Sequence, residues 1–335
     1  MSVRRLSQLL LQCFFGITPY SPEEECVEPP AESTLYVVLP YFNFCHSERR
    51  KNLFIEFVDR YHAIPGIKLV IVEGALKDTE YDLPTSFEGV DYHYGFVLAN
   101  QLWIKENLIN LAIKQLPASW KYVAWIDADL IFLNENWVQD TIKALQSDFD
   151  VLQPFHTALH MGPSNEALKI ERSFGYMHLK SDKAWLKSYK YGFWHPGFAW
   201  AITKEFYNRI EGLIDFAILG SGDHHMSLAF IKKVDCSHPG GVQDSYKKKL
   251  QEFQERCGDV RLGYIPGTIL HQWHGRLEDR KYIERWDILV KGKYNPSTYI
   301  RYNQLGVIQF TELAQDIIPQ ICSYFSGRKE DNKEV

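Results

Sequence analysis

The sequence predicts an α/β protein: a mixed, mostly parallel, Rossmann-like central sheet flanked by helices, in a single domain with extensions at both ends. Three observations predict it. Short apolar runs that read as buried strands recur at Thr34 to Tyr41, Ile67 to Gly74, Lys121 to Asp127 and Asp150 to Phe155. Helix-length amphipathic segments separate them, and strands joined by a helix-length crossover pair in parallel. The 335 residues contain no repeat and no long linker that would divide them.

In order along the chain, residues 1–33 end in the acidic, Pro-rich SPEEECVEPPAES and are expected to form a loosely ordered lead-in. TLYVVLPY, Thr34 to Tyr41, is a strand that Pro40 closes. Ser47 starts a helix whose Leu53, Phe54, Phe57, Val58 and Tyr61 fall on one face. IKLVIVEG is the second strand. Gln101 to Pro117 is a helix with a proline stop; KYVAWID is a strand, 137–146 a helix and DVLQPF a strand. Residues 155–195 have weak periodicity and are expected to be loop-rich. GFAWAITKEFYNRI reads as a strand entering a helix, and GSGDHHMSLAFI as a tight glycine turn entering a short helix. The Lys-rich stretch 246–256 reads as a solvated helix face, and GYIPGTIL as a strand.

Composition excludes several classes. Lys plus Arg number 37 against 42 Asp plus Glu, a net charge of −5, so no basic excess exists to drive nucleic-acid binding. Apolar residues at 45% and charged residues at 24% exclude a disordered or collagen-like chain. The 9 Trp, 19 Tyr and 20 Phe are a surplus that suits a core, an interface or a sugar site. Cys13, Cys26, Cys45, Cys236, Cys257 and Cys322 lie far apart, as scattered thiols in a reducing compartment do. Gln8 and Gln12 interrupt the apolar stretch after Arg4 and Arg5, which argues against a signal peptide. No run reaches the 18 or so apolar residues of a membrane span. A cytoplasmic protein without a transmembrane segment or nucleic-acid partner is the resulting expectation.

The sharpest local feature is Trp125-Ile126-Asp127-Ala128-Asp129. Open α/β sheets bind ligands at the carboxyl ends of their strands, and side chains at i and i+2 of an extended chain share a face. Two carboxylates placed there suit Mg²⁺ or Mn²⁺, or else they cap the following turn and helix. Two enzyme classes end an apolar strand in D-x-D. Haloacid-dehalogenase-like phosphatases want Thr or Val two residues after the second Asp, an N-terminal position and a late G-D-x-x-x-D. Here Leu130 and Ile131 follow, some 126 residues precede, and Gly222-Asp223-His224-His225-Met226-Ser227 lacks the last carboxylate. The second class is the GT-A glycosyltransferases.

The order LPY, VEG, WIKENLIN, WIDAD, WHPGFAW, GSGDHH and HQWH over residues 35–275 resembles the inverting GT-A transferases, particularly the β-1,4-galactosyltransferase-like group. The resemblance implies a single GT-A catalytic domain over 34–275, with a nucleotide-binding half at 34–153 and an acceptor and catalytic half at 154–275. The lead-in 1–33 and the extension 276–335 flank it. It also implies a nucleoside-diphosphate-sugar donor, Mn²⁺ or Mg²⁺, and a glycan or glycoconjugate acceptor. The nucleoside positions of the group fall on Pro40, Tyr41, Asn43, Glu73 and Lys105. Its Arg-containing loop after the first strand is replaced here by Tyr41-Phe42-Asn43.

The group's metal-binding Met and His, three residues apart, correspond to His271 and His274, both imidazoles suited to Mn²⁺. The implied ligands are Asp129, His274 and His271, with Asp127 supporting the ribose or standing beside the metal. Gly220-Ser221-Gly222-Asp223 matches the group's Gly-Gly-Glu-Asp turn and places the catalytic base on Asp223. Trp194 and Gly197 match the aromatic-Gly-Gly position beneath the donor sugar. A binding protein of the same fold without turnover is the alternative from another functional class.

Overall fold

A computed structural model describes residues 33–180, 194–276 and 278–331. Residues 1–32 of the lead-in, with Cys13 and Cys26, lie outside the described residues. The strands are β1 (Leu35–Tyr41), β2 (Ile67–Leu76), β3 (Tyr92–Leu98), β4 (Tyr122–Ile126), β5 (Leu130–Phe132), β6 (Val151–Gln153), β7 (Thr157–Met161), β8 (Ala167–Ser173), β9 (Trp194–His195), β10 (Ala199–Thr203), β11 (Leu262–Tyr264), β12 (Thr268–His271), β13 (Ile300–Tyr302) and β14 (Ile308–Phe310). The α-helices are α1 (Glu48–Tyr61), α2 (Lys105–Lys114), α3 (Trp137–Ser147), α4 (Phe174–Lys180), α5 (Lys204–Ile210), α6 (Gly222–Phe230), α7 (Asp244–Cys257), α8 (Arg285–Lys291) and α9 (Ile318–Ser326).

The central sheet has the order β11-β6-β10-β4-β1-β2-β3. β1 pairs in parallel with β2 and β4, β2 with β3, and β6 with β11; β10 alone runs antiparallel, between β4 and β6. This is the mostly parallel α/β sheet flanked by helices that the strand–helix alternation predicts. β1 is central and buried on both faces, which is why it reads as a continuous apolar run. Ser47 accepts a hydrogen bond from Arg50 N and caps α1. The apolar face of α1 named above is the face that is buried.

Helix α2 begins at Lys105 rather than Gln101. Trp103 N donates to Ile218 O at 2.8 Å, which holds the preceding residues off the helical path. Lys105 through Ile113 are all buried, because β13, β14 and the C-terminal helices cover the side facing away from the sheet. Asn107 Nδ2 donates to Gly306 O, and Asn107 Oδ1 accepts from Ile308 N. Residues 289–325 therefore belong to the same apolar core as the sheet. The Lys-rich stretch lies on α7, whose Tyr246, Leu250, Phe253 and Cys257 are buried.

Two expectations are corrected. The stretch 155–195 contains strands β7, β8 and β9 and helix α4, with 181–193 outside the described residues. These strands form a second sheet, β5-β12-β7-β8-β9. Its strand β8 hides from a periodicity reading because Leu168 and Ile170 point outward while Glu171 is buried. GYIPGTIL is not one strand: β11 joins the central sheet and β12 the second, with Ile265-Pro266-Gly267 carrying the chain between them.

Among the described residues no helix is long and apolar enough to cross a membrane. The described cysteines Cys45, Cys236, Cys257 and Cys322 are free thiols.

Candidate active site

Two sheets meet where the D-x-D lies. Strand β4 ends at Ile126, Asp127 N donates to Phe198 O at 2.8 Å, and the chain passes through Ala128 and Asp129 directly into β5. Strand β12 pairs antiparallel with β5, His271 facing Leu130, and Gln272 N donates to Asp129 O at 2.8 Å. That pairing sets the end of β12 against the D-x-D. His274 Nε2 lies 2.8 Å and His271 Nε2 3.7 Å from Asp129 Oδ2, and the two Nε2 atoms are 3.3 Å apart. One ligand atom from each of these three residues lies within 4.8 Å of the other two.

The donor set suits a divalent cation. A carboxylate with two imidazoles is a borderline site of the kind Mn²⁺ accepts. Asp129 Oδ1 is buried and has no hydrogen-bond partner, a costly arrangement that a cation would relieve. Burial pushes His271 and His274 below the usual histidine range, toward the neutral ligand form. Burial would raise Asp129, but His271, His274 and Arg280 outweigh it and hold the carboxylate well below its usual range. Arg280 Nη2 stands 2.8 Å from His274 Nε2.

The cluster opens into a cavity of about 230 Å³. Pro40, Tyr41, Arg50 and Phe54 line it from β1 and α1, Lys105 and Asp127 line it as well, and Asp223 faces it from α6. Lys105 Nζ is ion-paired with Asp127 Oδ1. Burial disfavours the ammonium, yet Asp127 and Asp223 hold it above its usual range, so Lys105 is a fixed cation. Burial pushes Asp127 up, against the pull of Lys105. Behind them Glu106 accepts from Trp103 Nε1 at 3.0 Å and is pushed by burial to about 8, a protonated acid at neutral pH.

Asp223 stands in the first turn of α6, after two left-handed residues, Gly220 at φ 91° and Ser221 at φ 81°. Ser221 adopts that conformation with its hydroxyl held by Arg285 Nη2 at 2.7 Å. Asp223 Oδ1 accepts from His224 N at 2.8 Å. Gly197 gives Asp223 its room: a Cβ there would come within 3.0 Å of Oδ2. The next residue, Phe198, has φ 75°, an unusual conformation for a bulky side chain. Its ring stacks on His195 at 3.7 Å between centroids.

Asn43, Glu73 and Trp194 are not among the residues that line the cavity. Asn43 Nδ2 donates to Asp82 Oδ2 at 2.9 Å, and Tyr41 Oη donates to the same carboxylate. Glu73 is buried and accepts from Asp82 N at 2.6 Å and Leu83 N at 3.2 Å, so its structural partner is the 82–83 backbone. Trp194 is 1% exposed, with its face stacked on His224 at 5.5 Å and Phe174 beside it. Packing occupies the indole, and it is not on the wall.

Two groups on the wall carry no motif. His160 pairs in register with His271 across β7 and β12; its Nε2 is 2.6 Å from Glu171 Oε2, and Lys169 Nζ donates to Glu171 Oε1 at 2.8 Å. Burial would raise Glu171, but these partners and His195 bring it to about 2. Burial holds His195 at about 4. The second group is Arg280, Tyr282, Arg285 and Arg328, all from beyond residue 275. The only sequence signal for the first is the i, i+2 spacing of Lys169 and Glu171; the arginines give none.

Solved structures similar to this chain include GT-A glycosyltransferases. A variant of Drosophila β1,4-galactosyltransferase 7, in complex with manganese, UDP-Gal and xylobiose, matches at 12% identity, with a TM-score of 0.34, over 60% of this chain and 62% of that one. Staphylococcus aureus TarS in complex with UDP-GlcNAc matches at 10% identity and TM-score 0.41, over 72% and 59%. The mannosyltransferase PcManGT from Pyrobaculum calidifontis, with GDP-Man and Mn²⁺, matches at 12% identity and TM-score 0.38, over 88% and 73%. This chain thus spans less than two-thirds of the length of the first two. No protein-family model matches the chain, and no curated protein sequence does.

Proposed function

We propose that this protein is a metal-dependent glycosyltransferase that moves a sugar from a nucleoside-diphosphate sugar to an acceptor hydroxyl with inversion. The observation that carries the reading is the convergence of Asp129, His271 and His274 on one point of a cavity that Asp223 faces from another element. Asp129 and the two imidazoles are the ligands in this reading, with Asp127 beside them. A bound Mn²⁺ or Mg²⁺ supplies Lewis-acid charge at the departing diphosphate.

The chain's own residues divide the remaining work. Lys105, fixed as a cation, meets phosphate as a point charge. Tyr41 and Phe54 offer an apolar wall for a nucleoside. Asp223 takes the proton from the acceptor hydroxyl as its oxygen forms a bond to the anomeric carbon. The carbon–oxygen bond to the β-phosphate breaks, and the electron pair leaves with the nucleoside diphosphate. Glu171, His160 and His195 remain on the wall formed by the second sheet, as hydrogen-bonding groups for an acceptor hydroxyl.

A thermal-shift screen of UDP-, GDP- and dTDP-sugars with Mn²⁺ tests the reading, because a ligand of the folded state raises its stability by mass action. One nucleotide class should raise the Tm, and only in the presence of metal. No shift with any of them contradicts the reading. Release of nucleoside diphosphate in Mn²⁺ separates a transferase from a binding protein of the same fold.

A further inference from the structure

We infer that Glu330, four residues beyond the last helix, is a positioning residue that holds two arginines at the cavity for the diphosphate of the substrate. The inference rests on the proposed transferase reading and adds to it the part played by the chain's C-terminal strap. Glu330 is 4% exposed and stands between two guanidinium groups from opposite ends of the sequence. Its Oε2 is 3.2 Å from Arg50 Nη1, on the first turn of α1, and its Oε1 is 2.6 Å from Arg328 Nη2. Both arginines line the cavity.

Their placement is built in detail. Arg50 lies over the Phe42 ring at 5.5 Å and Arg328 over the Trp103 ring at 5.4 Å, and the two rings meet edge to face at 5.4 Å. One carboxylate thus ties together two cations that rest on one aromatic floor. The strap itself is anchored by Asp331, which accepts from Ser47 Oγ at 2.6 Å and from Arg49 N at 3.0 Å. Neither Glu330 oxygen accepts a well-aligned hydrogen bond, and Arg328 Nε has no hydrogen-bond partner although buried. The ion pairs neutralise charge and leave Arg328 Nε, buried and without a partner, as a donor for an anion with several oxygens.

The test is titration calorimetry of the full chain with UDP and with GDP in saturating Mn²⁺, comparing wild type with Glu330→Gln and Glu330→Asp. Glu330→Gln should weaken the better-bound nucleotide by roughly 10- to 100-fold, the worth of one misplaced charge-assisted hydrogen bond. Glu330→Asp should recover part of that loss. In turnover the loss should fall on KM for the donor rather than on kcat, a split that a merely structural role would not produce. If Glu330→Gln does not fold, Arg328→Lys keeps the charge opposite Glu330 and gives up the fork, and should weaken nucleotide binding to the same order. Wild-type affinity in a folded Glu330→Gln, or in Arg328→Lys, overturns the inference and leaves the transferase reading standing. Failure of the wild type to bind either nucleotide overturns the reading, and the inference with it.

Discussion

Replacing Gly197 with Ala tests the placement of Asp223 without touching the carboxylate. A Cβ at 197 would lie within 3.0 Å of Asp223 Oδ2, and its nearest neighbour after that is His195 Cε1 at 3.1 Å. To reach an ordinary contact of about 3.4 Å, the carboxylate must retreat by about 1 Å. It has little freedom to do so, because Oδ1 is held by His224 N at 2.8 Å. A displacement of about 1 Å in a reacting group costs on the order of 10²-fold in rate. Overpacking itself costs about 1–3 kcal/mol of stability. Donor titration, turnover and melting of Gly197→Ala should therefore show nucleotide affinity within about twofold of wild type and a modest fall in Tm. Turnover should drop by about 10²-fold, according to the same geometric sensitivity. Gly240→Ala, where a Cβ meets nothing within 4 Å, is the control. A Gly197→Ala variant with wild-type turnover would refute the assignment of Asp223 as base.

Other consequences are open to measurement. Asp223→Asn should lower turnover by about 10²–10⁴-fold while nucleotide binding persists; near-normal turnover would sink the mechanism. Asp129→Ala and His274→Ala should each abolish Mn²⁺-dependent nucleotide binding in a folded protein, read by calorimetry; retained binding in both removes the metal site. Stability should fall on acidification in two stages. His195 and His224 are held at about 4, so the unfolded chain, protonating near pH 6.5, takes up two protons that the folded one does not and stability falls from about pH 6.5 toward 4, with Glu106, held at about 8, offsetting one of the two. Glu171 and Glu330 are held at about 2 against about 4.3 when unfolded, and their stabilisation is lost as the pH falls from about 4.3 toward 2. Urea midpoints that stay flat from pH 7.5 to 5 would contradict the first stage.

Legibility in the sequence followed the physics of burial. The β1–α1–β2 unit is readable because its strands are buried on both faces and α1 has one apolar stripe with a Ser cap, leaving no conflict between local and tertiary preference. Strand β8 is unreadable because its pattern is inverted: the charged Glu171 is buried beside the cavity while apolar Ile170 is 63% exposed. Asp129, His271 and His274 are grouped in the sequence only by the resemblance that their D-x-D and H-x-x-H motifs carry, and what brings them together is a β5–β12 pairing of three residue pairs, too short to leave a periodic signal. Glu73 and Trp194 show the converse, since a strand-end carboxylate and an aromatic beside a Pro-Gly turn look the same in sequence whether they face a ligand or the interior. The arginines at 280, 285 and 328 lie among surface-type residues and acquire meaning only when the chain returns to α1 and α6.

Release of nucleoside diphosphate from UDP-, GDP- or dTDP-sugars tests the central claim most directly, measured for wild type and Asp129→Ala with Mn²⁺ and with a chelator. The account predicts release from one nucleotide class by the wild type in Mn²⁺, reduced to background by the chelator and by the substitution. Release that is indifferent to metal and to Asp129, or no release from any donor in Mn²⁺, would contradict it.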